Sequence, residues 1–263
     1  MDSATQHGYL VLADITGYTS YLAGVELDHA HEILTDLLET IVLRFKTLLT
    51  ISKLEGDAVF ANVPESKVQR GETLLELIED TYVAFRDRAD AVHRRTTCEC
   101  KACKAIPTLD LKFFVHHGDY IVQRVAGMHE MAGSDVNLIH RLTKNHVTQA
   151  TGWRAYVLFT EASLDHTGVS IRDLGAHEQF ESYEHLGEVK TFSIDLHPRY
   201  AALIEKRRVF VTPEEADAAL EASLPVSPPV VWQWLNDPHM IVQWSPARHM
   251  VPAARPGRPP TLG

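Results

Sequence analysis

Apolar and polar positions switch between two periods along the chain, and the switching predicts most of its elements. Residues 9–15 form an apolar run suited to a strand, which ends at Asp14-Ile15-Thr16-Gly17. A 3.6-residue period follows: Ile33, Leu37, Leu38, Ile41, Val42 and Phe45 share one face and predict a long amphipathic helix. Residues 51–54 and 58–63 read as two short strands around Glu55-Gly56-Asp57, the signature of a hairpin. A second amphipathic helix is expected over residues 66–92, with Leu74, Leu77, Ile78, Val83 and Phe85 inward. Residues 109–116 and 120–125 read as another strand pair turning at His117-Gly118-Asp119. Residues 136–142 read as a helix, 155–159 as a buried strand, and 178–183 and 189–196 as edge strands. The order strand, helix, hairpin, helix, hairpin, helix, strand implies an α+β fold, an antiparallel-rich sheet covered by helices around a ferredoxin-like core.

Composition narrows the function classes. Of 263 residues, 45% are hydrophobic and 23% charged, a globular balance. The net charge of −10 argues against a nucleic-acid partner, which requires a basic face to displace counterions from phosphates. The first ten residues, MDSATQHGYL, carry no basic region followed by an apolar run, so no secretory signal is expected. No apolar stretch approaches the roughly 20 residues needed to cross a bilayer. A cytoplasmic protein with no membrane partner is the expectation. The pattern predicts a main domain over 1–200, a linker over 201–224, and a Pro- and Trp-rich piece over 225–263 whose last residues, 251–263, should be disordered.

Two aspartates stand out chemically. Asp14 lies where a strand meets a turn and Asp57 at a hairpin tip, each near a glycine that lets backbone approach a ligand. Neighbouring strands can bring such carboxylates together, and a magnesium site needs one or two carboxylates plus substrate phosphates. The same residues equally suit ordinary turns at strand ends.

Motifs at four places break that tie. Ala13-Asp14-Ile15-Thr16-Gly17-Tyr18-Thr19 resembles the first metal-site strand of class III adenylyl and guanylyl cyclases. Lys53-Leu54-Glu55-Gly56-Asp57-Ala58-Val59-Phe60-Ala61 resembles their second metal hairpin, and residues 113–122, FFVHHGDYIV, a later strand pair. Gly133-Ser134-Asp135-Val136-Asn137-Leu138-Ile139-His140-Arg141 is similar to the segment that serves the transition state. The four occur in family order over residues 8–196. The resemblance implies that Asp14, Ile15 and Asp57 hold two Mg2+ or Mn2+ ions per site. It implies that Asn137 orients the ribose, that Arg141 stabilises charge on the α-phosphate, and that Lys53 and Glu130 select the base, adenine better than guanine. It further implies a homodimer in which Lys53 and Asp57 of one chain serve different sites. The activity implied is cyclisation of a nucleoside triphosphate, ATP for preference, with release of pyrophosphate; the alternative is a weak or inactive nucleotide-sensing regulatory dimer. Two departures stand against the pattern: Glu130 replaces the usual aspartate, and the loop that grips the terminal phosphates corresponds to residues 183–190, YEHLGEVK, where only Lys190 is basic. That leaves the grip to Arg44, Lys46 or another residue.

Cys98, Cys100 and Cys103 form a C-x-C-x-x-C cluster with His93 upstream and His116 and His117 downstream. Such a cluster either binds one structural Zn2+, completed by a histidine or a partner's cysteine, or consists of three reduced surface thiols. The chain resembles an uncharacterised bacterial branch of cyclase-like proteins with a Cys-rich insertion. Residues 224–238 resemble the opening of a START-like, polyketide cyclase-type domain, a strand leading into a short helix, but too few residues follow to wrap a ligand cavity.

Overall fold

The apolar run at the start of the chain becomes a central strand, because both of its faces are covered. In the computed structural model, which describes residues 5–68, 70, 72–96, 98, 100–126, 128–167, 174–207, 216 and 222–245, β1 spans Gln6–Thr16. Its alternate side chains Tyr9, Val11, Ala13 and Ile15 enter one hydrophobic cluster, and Leu10 and Leu12 enter another on the opposite face. Helices α1 (Tyr18–Gly24) and α2 (Leu27–Phe45) lead to the hairpin of β2 (Thr50–Glu55) and β3 (Ala58–Pro64). Helix α3 (Glu72–Arg95) and the short α4 (Lys101–Ala105) lead to the long strand β4 (Asp110–Val125). Strand β5 (Met128–Ala132), helices α5 (Ser134–Leu142) and α6 (Val147–Thr151), strand β6 (Tyr156–Thr160) and helix α7 (Glu161–Thr167) follow. Strands β7 (His177–Tyr183) and β8 (Gly187–Asp195) and helix α8 (His197–Arg207) complete this part of the chain.

The sheet order is β2-β3-β1-β4-β6-β8-β7, with β5 paired to β4. The first four strands and their two crossing helices have the βαββαβ order and the antiparallel β3-β1-β4 pairing of a ferredoxin-like core. Only β4 and β6 run parallel among the strand pairs described. Ile33, Leu37, Ile41 and Phe45 of α2 and Leu74, Ile78, Tyr82 and Phe85 of α3 fill the first cluster; Val136, Leu138, Ile139 and Leu142 of α5 fill the second. Helices α2 and α3 therefore lie on one face of the sheet and α5 on the other.

Four expectations need correction. Residues 109–125 are not a hairpin at His117-Gly118-Asp119: β4 runs through these residues, and the turn comes later, where β5 folds back on residues 121–125. Gly118 is needed for close approach instead, since a Cβ there would lie 2.4 Å from Asp135 Cγ. The second long helix starts at Glu72, after a 3-10 turn over Glu65–Lys67, and Tyr82 rather than Val83 occupies its buried face. Of the two expected edge strands only β7 is at an edge; β8 lies between β6 and β7.

The chain divides into two units, residues 1–208 and 209–263. In the second, the described residues form helices α9 (Pro228–Asn236) and α10 (Pro238–Trp244), with the Trp244 indole N–H donating to the Trp234 carbonyl at 2.9 Å. The strand expected near residue 226 is therefore absent among the described residues, and Pro228 at the first turn of α9 suits a helix start. Residues 251–263, expected to be disordered, lie outside the described residues. No helix among the described residues is long and apolar enough to cross a membrane.

Candidate active site

Strand alternation positions the first carboxylate. Asp14 follows Leu10 and Leu12 on the α5 side of the sheet, and its register partners are Ala58 on β3 and Lys112 on β4. Ile15 N–H donates to the Asp57 carbonyl at 3.2 Å, tying the β2–β3 turn, with Gly56 at φ 65°, to the end of β1. Asp14 and Asp57 are thus neighbours at adjacent strand ends, as the sequence implied. The Ile15 side chain is buried in the first cluster, leaving its backbone carbonyl as the group that can meet a cation.

Electrostatics mark the pair. Burial first, and then the nearby Asp57 charge, push the Asp14 carboxyl up to about 6, while Lys112 pulls the other way. Burial also raises the Asp57 carboxyl, opposed by a hydrogen bond to its own backbone and by Lys112. Two partly desolvated carboxylates with one ammonium nearby suit a hard divalent cation, whose oxygen-ligand preference they meet. Sequence reading passed over Lys112. Its signal was a lone lysine in the apolar run Leu111-Lys112-Phe113-Phe114-Val115; it lies 5.7 Å from the Tyr156 ring centroid.

A second group gathers on β2, β5 and α5. Lys53 Nζ is 3.7 Å from Glu130 Oε2 and 3.7 Å from Glu55 Oε1, so the two residues expected at the base are brought together. Glu55 Oε2 lies 3.3 Å from His140 Nδ1, and the His140 ring packs edge-on against Phe60. Asn137 and Arg141 sit one turn apart on the exposed side of α5, while Val136, Ile139 and Leu142 face the sheet. Both are exposed, on the side of α5 that does not pack on the sheet. No hydrogen bond or ion pair joins the two groups among the described residues.

The N-terminus of α5 is set by a hydrogen-bond network that runs from the buried His116 and Thr160 out to the surface. His116 Nδ1 is 2.8 Å from Thr160 Oγ1 and its Nε2 is 3.1 Å from Asp135 Oδ1, while Asp119 N–H donates to Asp135 Oδ2 at 2.7 Å. These bonds, the one from His116 foremost, hold the Asp135 carboxyl below its usual range. Gly118 makes room for it. Gly118→Ala is expected to displace Asp135 and cost about 1–3 kcal/mol, read as a lower denaturant midpoint. Gly24→Ala, where an added Cβ meets nothing within 4 Å, is the control and should be near neutral.

The terminal-phosphate loop is where the pattern fails. Lys190 lies within β8, and its ammonium is 3.2 Å from Glu178 and 3.5 Å from Glu161, above the Phe192 ring. It is engaged in pairing β7, β8 and α7. Arg44 and Lys46, at the end of α2, lie across the sheet from Asp14, because α2 packs on the opposite face.

With this geometry in place, comparison with known proteins identifies the relatives. The family model described as "Protein of unknown function (DUF2652)" matches residues 34–151. The uncharacterized protein Rv2561/Rv2562 of Mycobacterium tuberculosis (strain ATCC 25618 / H37Rv) is 31% identical over 163 residues, 62% of this chain and 73% of that protein. The chain belongs to the Rv2561/Rv2562 family. Among solved structures, it is similar to the guanylyl cyclase Cya2, with a TM-score of 0.57 at 12% identity over 74% of this chain and 94% of that one. It is also similar to a bacterial light-regulated adenylyl cyclase, with a TM-score of 0.55 at 11% identity over 78% of this chain and 58% of that one. This member of the Rv2561/Rv2562 family therefore has the fold of a nucleotide cyclase domain, as the four motifs implied.

Proposed function

We propose that this domain is a nucleotide cyclase that acts as a homodimer on a nucleoside triphosphate, with ATP as the preferred substrate. The observation that carries the reading is the convergence of Asp14 and Asp57 on one strand end, beside Lys112 and on the α5 face of the sheet. In the reaction the ribose 3′-oxygen forms a bond to the α-phosphorus, the bond from that phosphorus to the bridging oxygen of the β-phosphate breaks, and pyrophosphate leaves. Two divalent cations held by Asp14, the Ile15 carbonyl and Asp57 would supply the charge that acidifies the 3′-hydroxyl and balances the leaving group. Arg141, supplied by the second chain, neutralises charge on the α-phosphate, and Asn137 holds the ribose in line. Lys53 donates and Glu130 accepts at the base edge, which matches the N1 acceptor and N6 amino donor of adenine.

The test is incubation of the purified full chain with each of four ribonucleoside triphosphates and Mn2+, products being identified by mass spectrometry. The expected result is a 3′,5′-cyclic nucleotide, most from ATP. Lys53→Ala is expected to lower the preference for ATP over GTP more than it lowers total turnover. A second reading rests on one observation: Lys190, the basic residue of the terminal-phosphate loop, is held by Glu161 and Glu178. On that reading the dimer binds nucleotide as a regulator and makes no product; triphosphate binding by calorimetry without cyclic product would select it.

A further inference from the structure

The cysteine cluster that the nucleotide reading leaves unused has a fourth member that sequence proximity did not reveal. His29, in the first turns of α2, presents Nδ1 at 3.3 Å from Cys100 Sγ, 3.6 Å from Cys98 Sγ and 4.0 Å from Cys103 Sγ. All four ligand atoms lie within 4.8 Å of one another. The histidines adjacent in sequence are elsewhere employed: His93 Nδ1 is 3.1 Å from the Cys103 carbonyl, and His116 belongs to the Thr160–Asp135 network.

We infer that His29, Cys98, Cys100 and Cys103 form a structural zinc site that ties α2 to the segment between α3 and β4. Tetrahedral zinc with sulfur at about 2.3 Å and nitrogen at about 2.05 Å sets ligand N···S separations near 3.6 Å, and the three separations from His29 bracket that value. Three sulfurs and one imidazole complete the tetrahedron with protein ligands, which leaves no open position for substrate and makes the site structural rather than catalytic. Hydrogen bonds orient two of the sulfurs: the Cys103 backbone N–H donates to Cys100 Sγ at 3.4 Å, and the Thr96 hydroxyl donates to Cys103 Sγ at 3.6 Å.

The position gives the site its purpose. Cys103 is buried against the first hydrophobic cluster, whereas His29 is exposed, so an ion here joins core to surface. Nearby, the Tyr21 hydroxyl donates to the Ala102 carbonyl at 3.1 Å, and Ala102 N–H donates to Glu26 Oε2 at 3.3 Å. These bonds fasten α1 and the start of α2 to α4. The zinc adds a third tie between elements that otherwise meet through five-residue α4 and a few side chains. Helix α1 directly follows the Asp14–Gly17 strand end, so the clamp steadies the segment that leaves the carboxylate pair.

The experiment uses the full chain purified under reducing conditions without a histidine tag. Elemental analysis is expected to give about one zinc per chain. Replacement of zinc by Co2+ should produce thiolate-to-cobalt charge-transfer bands and the intense visible bands of a tetrahedral ion. His29→Ala should weaken Co2+ binding by at least about tenfold, and His29→Cys should retain it with a spectrum shifted toward four sulfurs. Since a variant can fail to fold, the wild-type cobalt spectrum stands as the primary reading. Less than a tenth of an equivalent of zinc together with no cobalt bands in the reduced wild type overturns the site. Unchanged cobalt affinity in folded His29→Ala overturns His29 as the fourth ligand. Neither outcome depends on nucleotide chemistry.

Discussion

Asp14→Asn is expected to stabilise the metal-free protein at neutral pH while abolishing cyclic-nucleotide formation. The Asp14 carboxyl is raised from 3.8 to about 6 by burial and by the facing Asp57, with Lys112 only partly offsetting them. A raised carboxyl pKa means that the folded state holds the proton more tightly than the unfolded chain does. The penalty for ionising Asp14 is therefore absent below about pH 4, accrues as pH rises toward 6, and is complete at neutral pH. A shift of this size corresponds to a penalty on the order of 1–3 kcal/mol, which Asn avoids while keeping the shape. In EDTA, Asp14→Asn should melt above the wild type at neutral pH, and the two should converge as pH falls toward 4. Added Mn2+ should raise the wild-type midpoint and leave that of Asp14→Asn nearly unmoved. Asp135 titrates in the opposite sense: its depressed carboxyl contributes stability that is lost as pH falls through its folded value. It is common to both proteins, so the difference between them isolates Asp14. An Asp14→Asn protein that melts at or below the wild type in EDTA would show that the carboxylate pair carries no stored repulsion.

Mixing two inactive variants should restore activity. Asp57→Ala and Arg141→Ala are each expected to lose about 10²-fold or more in turnover, since each removes one group from both sites of a two-fold dimer. In a mixed dimer of the proposed composite site, Arg141 of one chain serves the Asp14 and Asp57 of the other, so the two losses fall together in one site and leave the other whole. With random exchange, half the dimers are mixed and each has one intact site, so an equal mixture should recover roughly a quarter of wild-type activity. Mixing Asp14→Ala with Asp57→Ala should recover none, as both residues come from the same chain. Recovery in that control, or none in the first mixture with exchange verified by mass spectrometry, would refute the composite site. So would full activity in a species that sediments as a monomer.

Much of the molecule was legible in the linear pattern, and the reasons are local. The apolar run of β1 and the 3.6-residue period of α2 and α3 follow from which side chains must leave water, so they predicted the core strand and helices and the α+β class. The motifs carrying Asp14, Asp57, Asn137 and Arg141 kept the short spacings of strand end, hairpin and helix turn, and the chain could be matched to them without coordinates. Pairing across strands was not legible. The proximity of Asp14 to Asp57 was expected, but the presence of Lys112 beside Asp14, on the strand flanking β1 opposite β3, follows from the β1–β4 register, which no local pattern encodes. The continuity of β4 through Gly118 was misread because a glycine serves a turn or a close contact equally well in sequence, and only the packing of Asp135 against it decides which. The sequence showed Lys190 as the one basic residue of the terminal-phosphate loop, but its enclosure by Glu161 and Glu178 comes from other elements. His29 is the same case in reverse: 69 residues separate it from Cys98, and only the packing of α2 against the α4 segment joins them. Side chains buried by their own element are determined by the sequence alone; partners brought by another element are decided by the tertiary structure, because register and helix packing are properties of the assembled sheet.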